Sequence, residues 1–334
     1  MTKRAILLAN LGSPDKPKTK EVRKYLNQFL SDPYVIQLPW ILRRLLISLF
    51  ILPTRPKKSA EAYQSVWTKE GAPLIVLSEQ LKQALQAKLD YPVAMAMRYG
   101  KPSIKKQLIT LVKKQGATDI LFIPLYPHYA ESTITTSVAE AKRVIKKFKL
   151  KVTLHVQKPF YQDERYISAL VSSAEPYLKQ SYDHLLFSYH GLPEIHVSNL
   201  DKSKKHCLKK VACCSTPDKA HETCYRHQVF QTTRSFAEKA NLSPGKYSVA
   251  FQSRLGRAKW LGPSTEERLR DLAENGAKNI LVICPSFVTD CLETLEEIQI
   301  RGQEVFIEAG GESLTLIPCL NTNEEWVDAL ASWC

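Results

Sequence analysis

The sequence predicts an α/β protein made of two similar halves, each a parallel sheet flanked by helices. Its 334 residues are too many for one small module and suit two domains of about 150 residues each. Short apolar runs alternate with amphipathic segments, which is typical of parallel strands covered by helices on both faces. The segment GATDILFIP at 116–124 is echoed by GAKNILVIC at 276–284, and each copy leads through a strand into a polar loop.

In the first half, continuous apolar runs predict strands and apolar residues at helical spacing predict helices. The predicted strands are 5–10, 93–97, 120–125 and 152–156. The predicted helices are 22–30, 74–89, 104–114 and 138–147.

The second half repeats the alternation. The predicted helices are 166–177, 228–239, 265–274, 291–300 and 324–333, and the predicted strands are 185–189, 248–251, 280–284 and 314–318. In such sheets ligands bind where the strands end at their carboxyl edge, commonly in the cleft between two halves. The candidate ligand-binding loops are therefore those that follow Asn10, Met97, Leu125, Tyr189, Phe251 and Cys284.

Composition excludes several classes of protein. Apolar residues at 44% and charged residues at 24% exclude a disordered chain, and 8 cysteines are few for a disulfide scaffold of this length. Lysine and arginine exceed the acidic residues, 47 − 33 = +14. Nucleic-acid binding is nevertheless the least favoured partner, because the basic residues are dispersed or lie in two local segments. The first apolar run, 5–9, lacks a cleavage site and suits a strand in a cytoplasmic protein.

The segment 35–53 (VIQLPWILRRLLISLFILP) is almost wholly apolar but is interrupted by Arg43 and Arg44. A membrane-spanning helix needs about 20 apolar residues without central charge, so a spanning segment is rejected. Two readings stay open. The segment either meets an anionic lipid surface beside Arg55, Lys57 and Lys58, or forms a buried loop and helix that cap a pocket.

Two of the strand-end loops carry titratable groups. His190, freed by Gly191, follows a buried strand and suits a proton acceptor or metal ligand, although a histidine that merely caps a turn is the plainer reading. Asp290, Glu293 and Glu297 would share one face of a helix that opens at the next strand end. Such carboxylates could pass protons or hold a hard cation loosely, or be ordinary solvated charge with Asp290 as an N-cap.

The remaining loops supply arginines and aromatic side chains, which suit a large flat aromatic anion, since arginine binds carboxylates bidentately and aromatic walls stack on rings. The candidates are Arg55, Tyr63, Arg98, Tyr126 and Trp260. Phosphate-loop, dinucleotide and nucleophile-elbow motifs are absent from the sequence, so no nucleotide cofactor is expected.

Six segments together resemble the ferrochelatase family over nearly the full chain. They are LLANLGSPD at the start, MRYG at 97–100, LYPHYAEST at 125–133, LLFSYHGLP at 185–193, FQSRLGRAKWLGPST at 251–265 and DCLETLEEI at 290–298. The resemblance implies two Rossmann-like, chelatase-type halves with the active-site cleft between them. It also implies a heme-synthesis lyase that inserts ferrous iron into protoporphyrin IX and releases two protons.

The resemblance assigns roles residue by residue. His190 matches the family's catalytic histidine, Glu293 its acidic partner, and Glu297 continues the line of carboxylates; His190 and Glu293 would also meet the substrate iron. The implied porphyrin contacts are Leu11, Arg55, Tyr63, Arg98, Tyr126 and Trp260. The segment 35–53 resembles the hydrophobic lip with which family members meet the membrane. Cys291 stands where some relatives have histidine, which argues against a metal relay there.

A polar insertion after His190 is the larger departure from many relatives. It spans 194–227 and contains Cys207, Cys213, Cys214 and Cys224. Four local thiolates can close a metal site, and some bacterial ferrochelatases resemble this chain in carrying a [2Fe–2S] cluster on such an insertion. A zinc site or free thiols are the alternatives.

The resemblance also sets the expected organisation and partners. The N-terminal half would run over 1–158 with the lip at 35–53, the C-terminal half over 159–318, and the helix in 319–334 would return to the N-terminal half. The expected setting is the cytoplasm, with peripheral contact at the inner membrane surface, and a homo-oligomer is compatible with the sequence. Coproporphyrin as the substrate, another divalent metal, or a non-catalytic porphyrin-binding protein are the competing interpretations.

Overall fold

The computed structural model describes residues 3–254, 256 and 258–334. Contacts divide the chain into two compact units. Unit 1 holds the described residues up to Tyr126, Ala130–Lys158 and Leu330–Cys334, and unit 2 holds Pro127–Tyr129 and Pro159–Ala329. Leu255 and Arg257 of the motif at 251–265 lie outside the described residues.

Unit 1 is built on a parallel sheet. Its strands are β1 (Arg4–Asn10), β2 (Val93–Met97), β3 (Asp119–Pro124) and β4 (Thr153–Val156), in the order β2-β1-β3-β4. In the central strand β1, residues 5–10 are all buried, as expected of a strand covered on both faces. Leu7 and Phe122 pack there with Leu108 and Val144 from the covering helices.

The helices of unit 1 cover this sheet and carry its loops. They are α1 (Thr19–Leu30), α2 (Trp40–Leu45), α3 (Arg55–Val66), α4 (Pro73–Gln86), α5 (Ile104–Ile109) and α6 (Thr136–Lys147). Three π-helical segments adjoin them, at Leu46–Ile51, Thr110–Lys114 and Glu131–Thr135. The sequence did not predict α3, because its polar start and few apolar residues give a weak helical period.

Unit 2 repeats the design. Its strands are β5 (His184–His190), β6 (Tyr247–Gln252), β7 (Asn279–Ile283) and β8 (Ser313–Leu316), in the order β6-β5-β7-β8 and all parallel. Its helices are α7 (Glu164–Leu178), α8 (Glu194–Leu200), α9 (Tyr225–Lys239), α10 (Thr265–Glu274), α11 (Leu292–Thr294) and α12 (Gln303–Glu308), and the chain ends with α13 (Glu324–Trp333). A 3₁₀ turn lies at Lys219–Glu222 and a π-helical segment at Leu295–Gly302.

The prediction of two similar parallel α/β halves is confirmed. Within each sheet the first strand of the unit is central, the second lies on one side of it, and the third and fourth follow on the other. The echoed segments at 116–124 and 276–284 lead into β3 and β7, which hold equivalent third places. The domain limits at 158 and 318 stay a prediction.

Candidate active site

His190 is the last residue of β5, and hydrogen bonds hold both its backbone and its ring. Its N–H donates to the Ser286 hydroxyl at 3.0 Å, and its carbonyl accepts from the Tyr225 hydroxyl at 2.7 Å. Nδ1 lies 2.6 Å from the Gly191 carbonyl oxygen, and because a carbonyl only accepts, Nδ1 carries the proton. In the neutral ring Nε2 then keeps its lone pair, so the ring is set to accept a proton or bind a cation.

Gly191 allows the chain to turn sharply after His190. A Cβ there would lie 2.7 Å from the Gln252 carbonyl oxygen and 3.2 Å from the Trp260 ring, so no other residue fits without displacing backbone. The Gly191 N–H donates to that same carbonyl at 2.7 Å. Trp260, predicted to contact substrate, is buried, and its ring lies close to Gly191, the residue that follows the candidate catalytic histidine.

Gln252 connects β6 to the acidic helix. It is the register partner of His190 on the neighbouring strand. Its side-chain oxygen accepts from the Ser188 hydroxyl at 2.7 Å, and its side-chain nitrogen donates to the Glu293 backbone carbonyl at 2.7 Å. Gln252 therefore lies beside His190 in the sheet and is hydrogen-bonded to the backbone of Glu293.

The predicted acidic face is only partly correct. Helix α11 begins at Leu292, with Cys291 at its N-cap, so Asp290 precedes the helix and was wrongly placed on its face. The Asp290 carboxylate is buried and accepts from the Thr294 hydroxyl at 2.9 Å and the Asn321 side chain at 2.7 Å. It therefore anchors the loop, because a buried carboxylate needs such partners.

Glu293 and Glu297 are half-buried on the helical segment that follows. The Glu293 carboxylate contacts the Cys291 thiol, and the pKa of that thiol is raised well above its usual value by burial and then by the Glu293 charge. Glu297 lies in the π-helical segment, and its carboxylate accepts from the Ser253 N–H at 2.7 Å and the Ser253 hydroxyl at 2.5 Å. Since Ser253 has a φ of +68°, Glu297 holds the loop after β6 in a left-handed turn.

Arg98 of unit 1, predicted to bind substrate, has a buried internal partner. Its Nη2 donates to Asp32 and its Nε donates to the Thr136 hydroxyl at 2.7 Å. The same Asp32 carboxylate accepts from the Tyr99 hydroxyl at 2.9 Å, and burial raises the pKa of Tyr99 well above its usual value. A substrate carboxylate at Arg98 would therefore compete with Asp32.

The other predicted porphyrin contacts of unit 1 lie at different depths. Leu11 follows β1 directly and is half-buried, and its carbonyl accepts from the Tyr99 N–H at 2.9 Å. Arg55 is exposed at the start of α3, whereas Tyr63, two turns later, is buried with its ring edge-on to Trp67. Tyr126 follows β3, and burial raises the pKa of its hydroxyl well above its usual value.

The segment 35–53 presents an apolar surface. Trp40 and Phe50 are 68% and 71% exposed, and Ile41, Leu42 and Leu49 are also exposed. Its arginines turn inward: Arg43 Nη1 donates to the Ile36 and Leu38 carbonyls at 3.3 and 2.8 Å, and Arg44 Nη1 donates to Asn27 and Ser31 at 2.9 and 3.0 Å. The exposed face is therefore apolar, and the exposed cations beside it are Arg55, Lys57 and Lys58.

This surface does not belong to a membrane-crossing helix. Within the described part of the chain, no helix is both long enough and apolar enough to traverse a bilayer.

The four cysteines of the insertion are neighbours. Cys207 and Cys214 each contact the Cys224 thiol, and the Sγ atoms of Cys213 and Cys214 are 4.0 Å apart. Burial raises the pKa of the Cys207 thiol to about 11. Across residues 3–254, 256 and 258–334, however, no three or more His, Cys, Asp or Glu side chains have the arrangement of a metal site. The expected four-thiol metal site is therefore not found, although contacts link Cys207 to Cys224, Cys224 to Cys214 and Cys214 to Cys213.

A comparison with family models matches the ferrochelatase family over residues 3–334. The chain belongs to the ferrochelatase family. Similar curated ferrochelatases come from Pseudomonas fluorescens (strain Pf0-1), 55% identical over 100% of this chain and 98% of the relative, and from Stutzerimonas stutzeri (strain A1501), 54% identical with the same coverage. Among solved structures, SirB from Bacillus subtilis with Fe3+ matches with a TM-score of 0.56 at 15% identity, over 99% of this chain and 94% of that one. The last match supports the fold alone.

Three positions of this ferrochelatase-family chain were not singled out from the sequence. Gln252 directly follows the predicted strand 248–251 and lies inside the motif at 251–265, and that position was the available signal. Tyr225 and Asp32 gave none, since their partners His190 and Arg98 lie 35 and 66 residues away in sequence.

Proposed function

We propose that the chain catalyses the insertion of ferrous iron into protoporphyrin IX to form protoheme, with His190 as the acceptor of the pyrrole protons. One observation carries the assignment: Nδ1 of His190 donates to the Gly191 carbonyl, which leaves Nε2 as the acceptor. The free-base ring holds two N–H protons that must leave before the metal can enter, so a positioned neutral imidazole meets the chemical need.

The two glutamates have different parts in this proposal. Glu293 supplies negative charge near the site and, with His190, meets the incoming iron as substrate; carboxylate and imidazole are ligands from which iron can still be released. Glu297 shapes the loop after β6 through Ser253. It therefore acts through Ser253, the residue that directly follows Gln252.

The porphyrin contacts are Leu11, Tyr63, Tyr126 and Trp260 for the ring, with Arg55 and Arg98 for the propionates. Arg55 is exposed and suits a carboxylate directly. Arg98 is hydrogen-bonded to Asp32, so we assign it a smaller contribution than Arg55 to propionate binding. Binding energy gathered at these positions would bend the macrocycle and tip its nitrogens outward, which eases entry of the metal.

The test is His190→Gln, assayed for iron insertion and for porphyrin binding. Turnover is expected to vanish while protoporphyrin still binds, because glutamine cannot accept the proton at neutral pH. His155→Gln, an exposed histidine on β4, is the matched control and should keep full activity. Turnover like that of the unsubstituted protein in His190→Gln would refute the role of His190.

The same assay separates the competing substrates. Full-length similarity to ferrochelatases at above 50% identity does not favour another metal or a non-catalytic role. Iron insertion into protoporphyrin faster than into coproporphyrin, and faster than insertion of cobalt or nickel, is expected.

We also propose peripheral contact with the inner membrane surface, on the cytoplasmic side, through the apolar segment 35–53. Support comes from its exposed aromatic and aliphatic side chains beside Arg55, Lys57 and Lys58. Co-sedimentation with vesicles containing anionic lipid should fall at least tenfold in a Trp40→Ser/Phe50→Ser variant. Val211→Ser, an exposed apolar residue elsewhere, is the control and should leave binding unchanged.

We further propose that Cys207, Cys213, Cys214 and Cys224 hold a [2Fe–2S] cluster. Support comes from the chemistry and closeness of the four thiols, which are soft ligands suited to such a cluster: Cys207 and Cys214 each contact the Cys224 thiol, and the Sγ atoms of Cys213 and Cys214 are 4.0 Å apart. The exposed lysines of the insertion would offset the cluster's negative charge. When bound, the cluster would supply a rigid crosslink of the insertion and redox chemistry. Visible absorption with two irons and two sulfides per chain is expected; a colourless protein with full activity would refute it.

A further inference from the structure

The first turn of α9 touches both the cysteine insertion and His190. Cys224 precedes the helix, and Tyr225, Arg226 and His227 form its first three residues. Tyr225 donates to the His190 carbonyl, while Arg226 and His227 contact the adjacent cysteines 213 and 214. Three consecutive side chains of unit 2 therefore link the cysteine insertion to the backbone of His190.

On the cysteine side, the turn holds both sulfur and backbone. The Arg226 guanidinium donates to Sγ of Cys213 at 3.7 Å and to Sγ of Cys214 at 3.4 Å. Nδ1 of His227 donates to the Cys214 carbonyl at 2.8 Å. Arg226 also lies over the Phe230 ring, 5.0 Å from its centroid, and is half-buried.

On the histidine side, the hydroxyl of Tyr225 is buried and directed at backbone. It donates to the His190 carbonyl at 2.7 Å, and it also interacts with Ser286, whose hydroxyl accepts from the His190 N–H. The Tyr225 ring packs edge-on against His128, with centroids 5.7 Å apart. Tyr225 and Ser286 are therefore hydrogen-bonded to the carbonyl and the N–H of His190, respectively.

We infer that the first turn of α9 couples the four-cysteine insertion to His190, with Tyr225 as a positioning residue for iron insertion. The inference rests on the proposed role of His190. A helical turn is rigid, and hydrogen bonds weaken over a few tenths of an ångström, so a shift of α9 caused at the cysteine sulfurs changes the hold on His190. The ring Nε2 of His190 would then be displaced from the proton it accepts.

The first experiment removes only the hydroxyl, as Tyr225→Phe. The kcat for iron insertion is expected to fall about tenfold with KM for protoporphyrin unchanged, because the change misplaces a reacting group without touching the porphyrin. Tyr189→Phe is the matched control: its buried hydroxyl also bonds to α9, at Thr233 and 2.7 Å away, but not to His190. It should lose a similar hydrogen bond without a change in kcat.

A readout independent of turnover comes from protein labelled with ¹⁵N-histidine. The ring resonances of His190, assigned through His190→Gln, should shift in Tyr225→Phe and in Arg226→Met, and stay unchanged in Tyr189→Phe. Unshifted His190 resonances in Arg226→Met would overturn the coupling, because Arg226 contacts the sulfur atoms of Cys213 and Cys214 and has no hydrogen bond to His190 among those described.

The second experiment is a double-mutant cycle between Arg226→Met and Tyr225→Phe. If the turn transmits the change, the effect of Arg226→Met on kcat should shrink at least threefold once Tyr225 has lost its hydroxyl, whereas independent sites give multiplied effects. Multiplied effects would refute the coupling. Failure of the proposed function gives a different result, because it would show as full activity in His190→Gln. Absence of iron and sulfide would refute the proposed cluster, but the double-mutant cycle would still test the coupling.

Discussion

The buried carboxylate of Asp32 offers a direct measure of how unit 1 fixes Arg98. Asp32 follows α1 and is 5% exposed. It accepts from the side chains of Arg98 and Tyr99, which follow β2, and from Thr136 at the start of α6. In Asp32→Asn the Arg98 cation loses its buried counter-charge. Breaking a buried ion pair from one side costs about 3–5 kcal/mol, and we expect a loss of that size in the free energy of unfolding.

Urea titration measures that loss, and Asp15→Asn is the control in the same unit. The pair between Asp15 and Lys101 is exposed, with side chains 41% and 74% accessible, so its loss should cost below about 1 kcal/mol. If Asp32→Asn costs no more than Asp15→Asn, Asp32 does not hold Arg98 and the reasoning fails. In that case Arg98 would be free to bind propionates, and Arg98→Lys should raise KM for porphyrin without lowering the free energy of unfolding.

Three further predictions concern unit 2. Gly191→Ala places a Cβ 2.7 Å from the Gln252 carbonyl oxygen and should lower kcat more than tenfold with about 1–3 kcal/mol of stability lost; unchanged kinetics would contradict the tight turn. Burial lowers the pKa of His128 to about 3 and that of His184 to about 4. Between about pH 6.5 and these lowered values, each histidine binds a proton in the unfolded chain but stays neutral in the folded one. Stability present above pH 6.5 should therefore fall as pH drops towards 4, by about 1.4 kcal/mol per pH unit for each histidine, and His128→Gln should reduce that slope in urea titrations at stepped pH. Glu297→Ala removes both acceptors of Ser253 and should speed hydrogen exchange of the Ser253 amide roughly thirtyfold, equivalent to about 2 kcal/mol; an unchanged rate would show that the loop holds itself.

Much of the fold followed from local pattern. The strand 93–97 and the helices 265–274 and 324–333 were predicted at their observed limits. A buried strand appears in the sequence as an apolar run, and the apolar residues of an amphipathic helix recur about every 3.6 residues. The echo between 116–124 and 276–284 predicted two similar halves, and β3 and β7 hold equivalent places. The acidic face failed at Asp290, because the helix start depends on the fold of the preceding loop.

The sequence by itself determined the alternation of strands and helices, the family through its six motifs, and His190 and Glu293 as candidates. Only the tertiary structure decided what those side chains touch. The inward turn of Arg43 and Arg44, the partner of Arg98, and the hold of Tyr225 on His190 all join residues separated along the chain or turned by packing. Periodicity records which face of an element is buried, whereas hydrogen-bond partners depend on how elements meet in space.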